Sequence, residues 1–287
     1  MAGSSPLVMG FADTFLALVS EDERVLGHIT GRYGAFAARE ESPPYSLNIG
    51  IDSSLDQADP NTIDVKTAGE SLSASSSSLK LEYDFTDGGG SGRLSIAPQE
   101  LFIDIENSLR ILVSHLVLRR DMLLVHAAAF GEENSDRVGI FAGQSGAGKT
   151  TISNLAGEAG LEVFSDDMVL LAPRSYRDEL TTTQELTAWP TPLGSLEGPK
   201  PEPVKPRPVS HIFFLEHGKE NSFSLLDVPD AYMRLLTVVP FTQIDHAGVK
   251  QRVLTVALQV DGCVRSSVFS FVPDTSAPLR AMEQMSR

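Results

Sequence analysis

The stretch V-G-I-F-A-G-Q-S-G-A-G-K-T, Val138 to Thr150, decides how the rest of the chain is to be read. Its first half, Val138 to Ala142, is an unbroken apolar run, which suits a strand covered on both faces. Its second half, Gly143 to Thr150, fits the pattern G-x-x-x-x-G-K-[ST] in full. Glycines at 143, 146 and 148 let the backbone turn consecutive N–H groups toward one anion, and a helix starting at Lys149 adds the partial positive charge of its N-terminus. Such a loop, built from Gly143, Gln144, Ser145, Gly146, Ala147, Gly148, Lys149, Thr150 and Thr151, predicts binding of a nucleoside triphosphate, ATP with Mg²⁺. Lys149 supplies a full charge to the outer phosphates and the Thr150 hydroxyl is placed to ligate the metal.

Outward from the loop, another apolar run at Met122 to Val125 predicts a strand, joined to the first by a hairpin over the polar interval Gly131 to Asp136. Downstream, the pattern predicts a helix from Lys149 to Ala159 stopped by Gly160, then strands near Leu161 to Phe164 and Met168 to Leu171. Between those strands stand Ser165, Asp166 and Asp167. Adjacent carboxylates at a strand end are costly without a cation nearby, and Mg²⁺ or Lys149 would serve. Neighbouring side chains project differently, so one aspartate can face the metal and the other an acceptor. His126 ends the Met122 to Val125 run, and is expected on the same rim as Gly143 if the two strands are neighbours. For His28, His211, His217 and His246 a structural or surface role is expected.

Prolines at 190, 192, 199, 201, 203, 206 and 208 exclude a central strand or helix interior there and predict a long loop, a lid or substrate-binding edge or else a connector. Beyond it come a strand at His211 to Leu215, helices near Asp230 to Val238 and Val249 to Gln259, a strand at Ser267 to Val272 and a terminal helix from Ala277. Upstream, residues 1–97 read as a β-rich region with strands at Tyr45 to Ile51, Thr62 to Lys66, Leu79 to Phe85 and Arg93 to Ala97. The alternation Leu79, Leu81, Tyr83, Phe85 against Lys80, Glu82, Asp84 has the period of a strand covered on one face. Ser71 to Ser78 is expected as a flexible surface loop, and Asp87 to Gly92 as the connection of a hairpin. Residues 98–287 begin with a helix from about Gln99 to Arg119, opened by Pro98 and Glu100, whose apolar face carries Leu101, Ile105, Leu109, Leu112 and Leu116. His115 beside that face is expected to be packed.

Composition narrows the function. The formal net charge is −15, from 38 acidic and 23 basic residues, a field that opposes nucleic acid and anionic lipid, so any phosphate must be captured locally. Cys263 is the only cysteine, which rules out an internal disulfide, fits a reducing compartment and suggests a small buried apolar residue. Asp13 interrupts the apolar start and no Lys or Arg precedes Arg24, so a secretory signal is not expected, and no run of eighteen apolar residues occurs. A cytoplasmic chain that does not span a membrane is the expectation.

The series V-H-A-A-A-F, a hairpin, G-I-F-A-G-Q-S-G-A-G-K-T, a helix and F-S-D-D-M-V resembles the C-terminal catalytic domain of HPr kinase/phosphorylase, a bacterial protein-serine kinase, and closer still the smaller HPr-kinase-like proteins. The match covers residues 126 to 169, and a looser likeness of element order runs from about 100 to 273. The resemblance implies an α/β fold of α+β character, a phosphoenolpyruvate-carboxykinase-like phosphate-loop fold with a mixed sheet. It makes Asp166 the general base toward a serine hydroxyl, His126 its partner, and Asp167 a metal ligand with Thr150; Lys149, through its charge on the outer phosphates, is the third catalytic residue expected. It implies a small protein or peptide bearing the hydroxyl as partner, and a homo-oligomer, since relatives form them. The acidic signature that follows the paired aspartates in the bifunctional enzymes is missing, as is a counterpart of their N-terminal regulatory domain, so neither phosphorylase activity nor the HPr substrate is carried over. Thr187 to Gly194 is a candidate lining for the acceptor site, and Lys250 or Arg252 for contact with the transferred phosphate.

A serine or hydroxyl kinase is therefore the leading expectation. Its competitors are a nucleotide-dependent binding or regulatory protein and a simple ATPase. The pair His126 and Asp166 separates them, because a pure sensor has no use for a base.

Overall fold

The structure, a computed structural model, describes residues 6–56, 63–99, 101–177, 182–195, 201–240 and 247–285, and of 175–177 and 182–183 the backbone alone. Thr62, Glu100, Pro199 and His246, each used in an expectation above, lie outside them. The chain divides into two compact units, Met1–His115 with Gln243–Lys250, and Leu116–Thr242 with Gln251–Arg287. The class is mixed α/β, with a mixed sheet in each unit.

The first unit runs β1 (Leu7–Phe11), β2 (Thr14–Val19), α1 (Glu23–Tyr33), β3 (Tyr45–Ile51), β4 (Asp64–Ala68), β5 (Ser71–Ser75), β6 (Leu79–Thr86) and β7 (Gly89–Ile96), and it holds α2 (Leu101–Leu118) as far as His115. The strands form one sheet in the order β1-β2-β3-β7-β6-β5-β4. Along β6 the apolar set Leu79, Leu81, Tyr83 and Phe85 is buried while Lys80, Glu82 and Asp84 are exposed, as the alternation requires.

Two expectations fail in this unit. Ser71 to Ser75 is a strand, because Leu72 and Ala74 alternate inward between the serines and pair with β6. Gly89 to Gly92 likewise belongs to a strand, leaving only Asp87 and Gly88 to turn the chain. Gly92 is a packing choice there, since a Cβ would overlap the ring of Tyr83 across the ladder.

Charge is also buried in this unit. Glu106, with no exposed surface, accepts a 2.6 Å hydrogen bond from Tyr33 Oη and lies 3.6 Å from both Arg32 Nε and Arg110 Nε, tying α1 to α2. His115 is packed as expected, its Nδ1 donating to the Ile111 carbonyl at 2.8 Å, and burial depresses its basicity.

The second unit runs β8 (Leu123–Gly131), β9 (Val138–Ala142), α3 (Lys149–Glu158), β10 (Glu162–Ser165), β11 (Met168–Arg177), β12 (Thr182–Trp189), β13 (Arg207–His217), β14 (Ser222–Leu225), α4 (Val228–Val238), α5 (Ala247–Asp261) from Gln251 onward, β15 (Arg265–Phe271) and α6 (Ser276–Met285). Five strands close on themselves: β8 pairs β11, β11 pairs β12, β12 pairs β13, β13 pairs β9, and β9 returns to β8. Outside the ring β10 continues along β8, and β15 and then β14 extend from β13.

Neither β12 nor β14 was anticipated, and β13 starts earlier than expected, at Arg207. Pro208 is tolerated because β12 and β13 share only two register positions, Thr187↔Pro208 and Ala188↔Arg207, so the ladder has barely begun. The parallel trio β9, β13 and β15 packs α3 through a phenylalanine core: Phe130 stacks on Phe141 at 3.8 Å and Phe141 on Phe213 at 5.0 Å, with Ile152 and Ala156 of α3 in the same cluster. Each such burial contributes about 1.5–3 kcal/mol, and together they fix the start of α3 against the end of β9.

Candidate functional site: the glycine loop and the paired aspartates

Where β9 ends, the chain turns through Gly143 to Gly148 and enters α3 at Lys149, so the predicted order of strand, loop and helix is present. Gly148 occupies the N-cap position with φ +98°, and no side chain caps the helix. The first amides of α3 thus have no side-chain cap. An alanine at 148 would suffer both from the left-handed backbone and from Phe271, whose ring carbon would lie 2.6 Å from the new Cβ. Gln144, Ser145, Gly146, Thr150 and Thr151 are exposed, Ala147 and Gly148 half-buried, and Gly143 buried.

Lys149 is buried, and its Nζ donates to the carbonyls of Gly143 at 2.8 Å and Gln144 at 3.1 Å. Burial lowers its basicity while the nearby Asp167 carboxylate acts in the opposite sense. The ammonium head therefore already sits inside the loop, held by the loop's own carbonyls rather than extended into solvent.

His126 does stand beside Gly143, whose N–H donates to the His126 carbonyl at 3.2 Å. It does not end a strand: β8 continues to Gly131, and His126 marks the place where β8 completes its pairing with β11 and begins pairing with β9. On the opposite side, β10 and β11 run along β8 as one line interrupted by a bend at Asp166 and Asp167, with the Ala127 N–H donating to the Asp167 carbonyl at 2.9 Å. The two aspartates thus lie one strand away from the strand that delivers the loop.

The carboxylates diverge. Asp167 Oδ1 lies 3.7 Å from His126 Nδ1, and its charge is felt by Lys149. Asp166 instead lines a recess of about 230 Å³ with Val163, Phe164, Pro190, Thr191, Leu193 and Pro201 among its walls. Its Oδ1 would lie 3.6 Å from a Cβ placed on Gly194. His126 was expected to partner Asp166; its carboxylate partner in the structure is Asp167. Alternation along an extended strand would have sent Asp166 to the face of Met168 and His126, and the bend at 166 and 167 breaks that alternation.

Among the other candidates, the stretch Thr187 to Gly194 contributes Pro190, Thr191 and Leu193 to the Asp166 recess. Arg252 is engaged elsewhere, with the Arg119 carbonyl at 2.9 Å and Asp121 Oδ1 at 3.0 Å, and Lys250 falls with the first unit. One contact was missed: His217, at the end of β13, places Nε2 2.9 Å from the Gly146 carbonyl, to which it donates. The signal for it is the parallel pairing of β13 with β9, which spacing along the chain does not encode. Among the described residues no three His, Cys, Asp or Glu side chains gather into a ready-made cation site. Also among them, no helix is long and apolar enough to cross a membrane.

Neither protein-family models nor curated proteins give a match to the chain.

Proposed function

We propose that the chain is an ATP- and Mg²⁺-dependent kinase that transfers the γ-phosphate to a serine or related hydroxyl of a small protein or peptide, on a phosphoenolpyruvate-carboxykinase-like phosphate-loop framework. The single observation that carries this is the divergence of the paired aspartates: Asp167 turns to His126 and the loop lysine, and Asp166 to a separate recess. A phosphate side and an acceptor side, meeting at two adjacent residues, is the arrangement that transfer between two substrates requires.

The loop suits a triphosphate on its own terms, with an uncapped helix N-terminus, a left-handed Gly148 and a lysine already in place. Thr150, exposed on the first turn of α3, and Asp167 are the groups that would hold Mg²⁺, an oxygen donor set that suits so hard a cation. When bound, the ion neutralises charge on the phosphate oxygens. The recess is smaller than the about 300–1,000 Å³ usual for a small-molecule site, and suits one inserted side chain rather than a whole ligand. Its apolar walls at Pro190, Leu193 and Pro201 would desolvate the incoming hydroxyl.

In the transfer, the acceptor oxygen forms a bond to the γ-phosphorus as the bond to the β–γ bridging oxygen breaks, and ADP leaves. The hydroxyl proton passes to the Asp166 carboxylate. His126 holds Asp167 in place, and Lys149 stabilises the charge on the transferred group. Purified protein incubated with Mg²⁺-ATP and a panel of hydroxyl-bearing peptides and small molecules is expected to label an acceptor. Release of phosphate without an acceptor would instead identify an ATPase, and nucleotide-dependent association with a partner in the absence of any turnover would identify a regulatory binder.

A further inference from the structure

At the end of the parallel strands opposite the phosphate loop, the second unit has a larger recess, of about 630 Å³. It opens where β9, β13 and β15 begin. The register aligns Gly139, His211 and Arg265 in one row across the three strands, and Arg137 stands two residues ahead of Gly139. Two strand spacings separate the outer members of that row, about 10 Å, and Arg137, Ser210, His211 and Arg265 all line the recess.

These two arginines differ from three others of the unit. In the same unit Arg207 pairs with Glu162, Arg234 with Glu216 and Arg252 with Asp121. Among the described residues no carboxylate pairs with the guanidinium of Arg137 or Arg265, although the chain carries an excess of 15 negative charges from which to supply one. Glu185 is the single carboxylate among the described lining residues. Leu186, Val209, Val264 and Met285 give the recess an apolar wall, and Cys263 stands on its rim, half-buried, its thiol donating to the Gln259 carbonyl. A guanidinium presents a planar fork of donors that matches carboxylate and phosphate oxygens.

We infer that this recess is a second ligand site, for a small organic dianion whose carboxylate or phosphate groups bridge Arg137 and Arg265 while its carbon skeleton lies on the apolar wall. The volume is in the range of small-molecule sites, and both anchors are exposed on the rim, so entry needs no opening of the fold. This site is independent of the kinase proposal. Its floor strands β9 and β13 nonetheless lead directly to Gly143 and to His217.

Calorimetric titration of the full chain with succinate, pyrophosphate and inorganic phosphate tests it, the dicarboxylate and the phosphates separating the two anion chemistries. The native protein and Lys149→Ala, which disables the phosphate loop, are expected to bind at least one probe alike, and occupancy is expected to slow alkylation of Cys263 at mildly alkaline pH. Arg265→Ala and Arg137→Ala should each weaken that probe by at least about tenfold, with Arg265→Lys recovering part of the loss. Both arginines are solvent-facing, so these variants are expected to fold. Absence of binding by all three probes overturns the proposal, as does binding that Lys149→Ala removes or that the double variant Arg137→Ala, Arg265→Ala retains.

Discussion

Glu106 in the first unit and Asp167 in the second are both carboxylates with cationic neighbours, yet they are built to opposite ends. Glu106 has no exposed surface and is enclosed by Tyr33, Arg32 and Arg110, each fixed on α1 or α2. Its effect on Tyr33 is visible in the phenol's raised pKa, which burial and the adjacent carboxylate produce together. Asp167 is partly exposed, as is His126, and the lysine that feels its charge spends its hydrogen bonds on the carbonyls of a glycine loop. A charge enclosed by protein groups holds helices together. A charge left partly at the surface, beside a histidine and a loop lysine, is instead the arrangement that the proposed site requires.

The comparison is broken most directly at Asp166. If the aspartates are architectural like Glu106, Asp166→Asn will lower the melting temperature and leave whatever activity survives unchanged. The expected result is the reverse: phosphoryl transfer falls by about 10²–10⁴-fold, the loss typical of a removed general base, while nucleotide affinity and thermal stability stay near native. Transfer assays beside calorimetric nucleotide binding decide it, and a variant that transfers phosphate at the native rate removes the base from the mechanism.

Glu106→Gln is the converse experiment. Neutralising it leaves Arg32 and Arg110 facing a buried amide, and truncating one partner of a buried ion cluster costs about 3–5 kcal/mol. Denaturant unfolding should show that loss, whereas nucleotide affinity measured well below the melting temperature should not change. A loss under about 1 kcal/mol would mean that water reaches the cluster and that the contrast with Asp167 is one of degree.

Between these extremes lies Gly148→Ala, where fold and site share one residue. The left-handed φ of +98° and the overlap with Phe271 together predict a cost of about 2–4 kcal/mol. Because Phe271 belongs to the core behind α3, relief must come from shifting the loop, and nucleotide affinity should fall along with stability. Loss of stability without loss of affinity would show that the loop tolerates the shift.

What could be seen beforehand divides along the same line. Val138 to Ala142 and the Leu79 to Phe85 alternation declared themselves, because burial on two faces or one imposes a period on the residues themselves. Ser71 to Ser75 hid behind serines, although Leu72 and Ala74 carry the same period, and β12 is disguised by Gln184, Glu185 and Thr187 around its buried Leu186 and Ala188. The order of strand, glycine loop and helix was legible, since one contiguous run of residues carries it. Pairwise geometry was not: that His126 meets Asp167 follows from a bend between β10 and β11, and that His217 reaches Gly146 follows from a parallel pairing across 71 residues of sequence. The closed ring of five strands depends on such pairings throughout.

The smallest expected effect concerns the opposite end of the same strands. His211 is buried beside Ser267 Oγ at 2.9 Å, and burial, with Arg265 next to it, pushes its pKa down to about 4 from an ordinary 6.5. Between those values the unfolded chain takes up a proton that the folded one refuses, so stability is intact above pH ~6.5 and is lost as the pH falls toward 4. His211→Gln keeps a hydrogen-bonding side chain toward Ser267 and removes the titration. From pH 7 to pH 5 the native protein should lose about 2 kcal/mol more than this variant, with His28 and His115 contributing equally to both. Parallel acid limbs in denaturant titrations would show that His211 escapes into solvent when protonated. A dianion bridging Arg137 and Arg265 should flatten the native curve alone, because the negative charge it brings beside His211 favours the protonated ring.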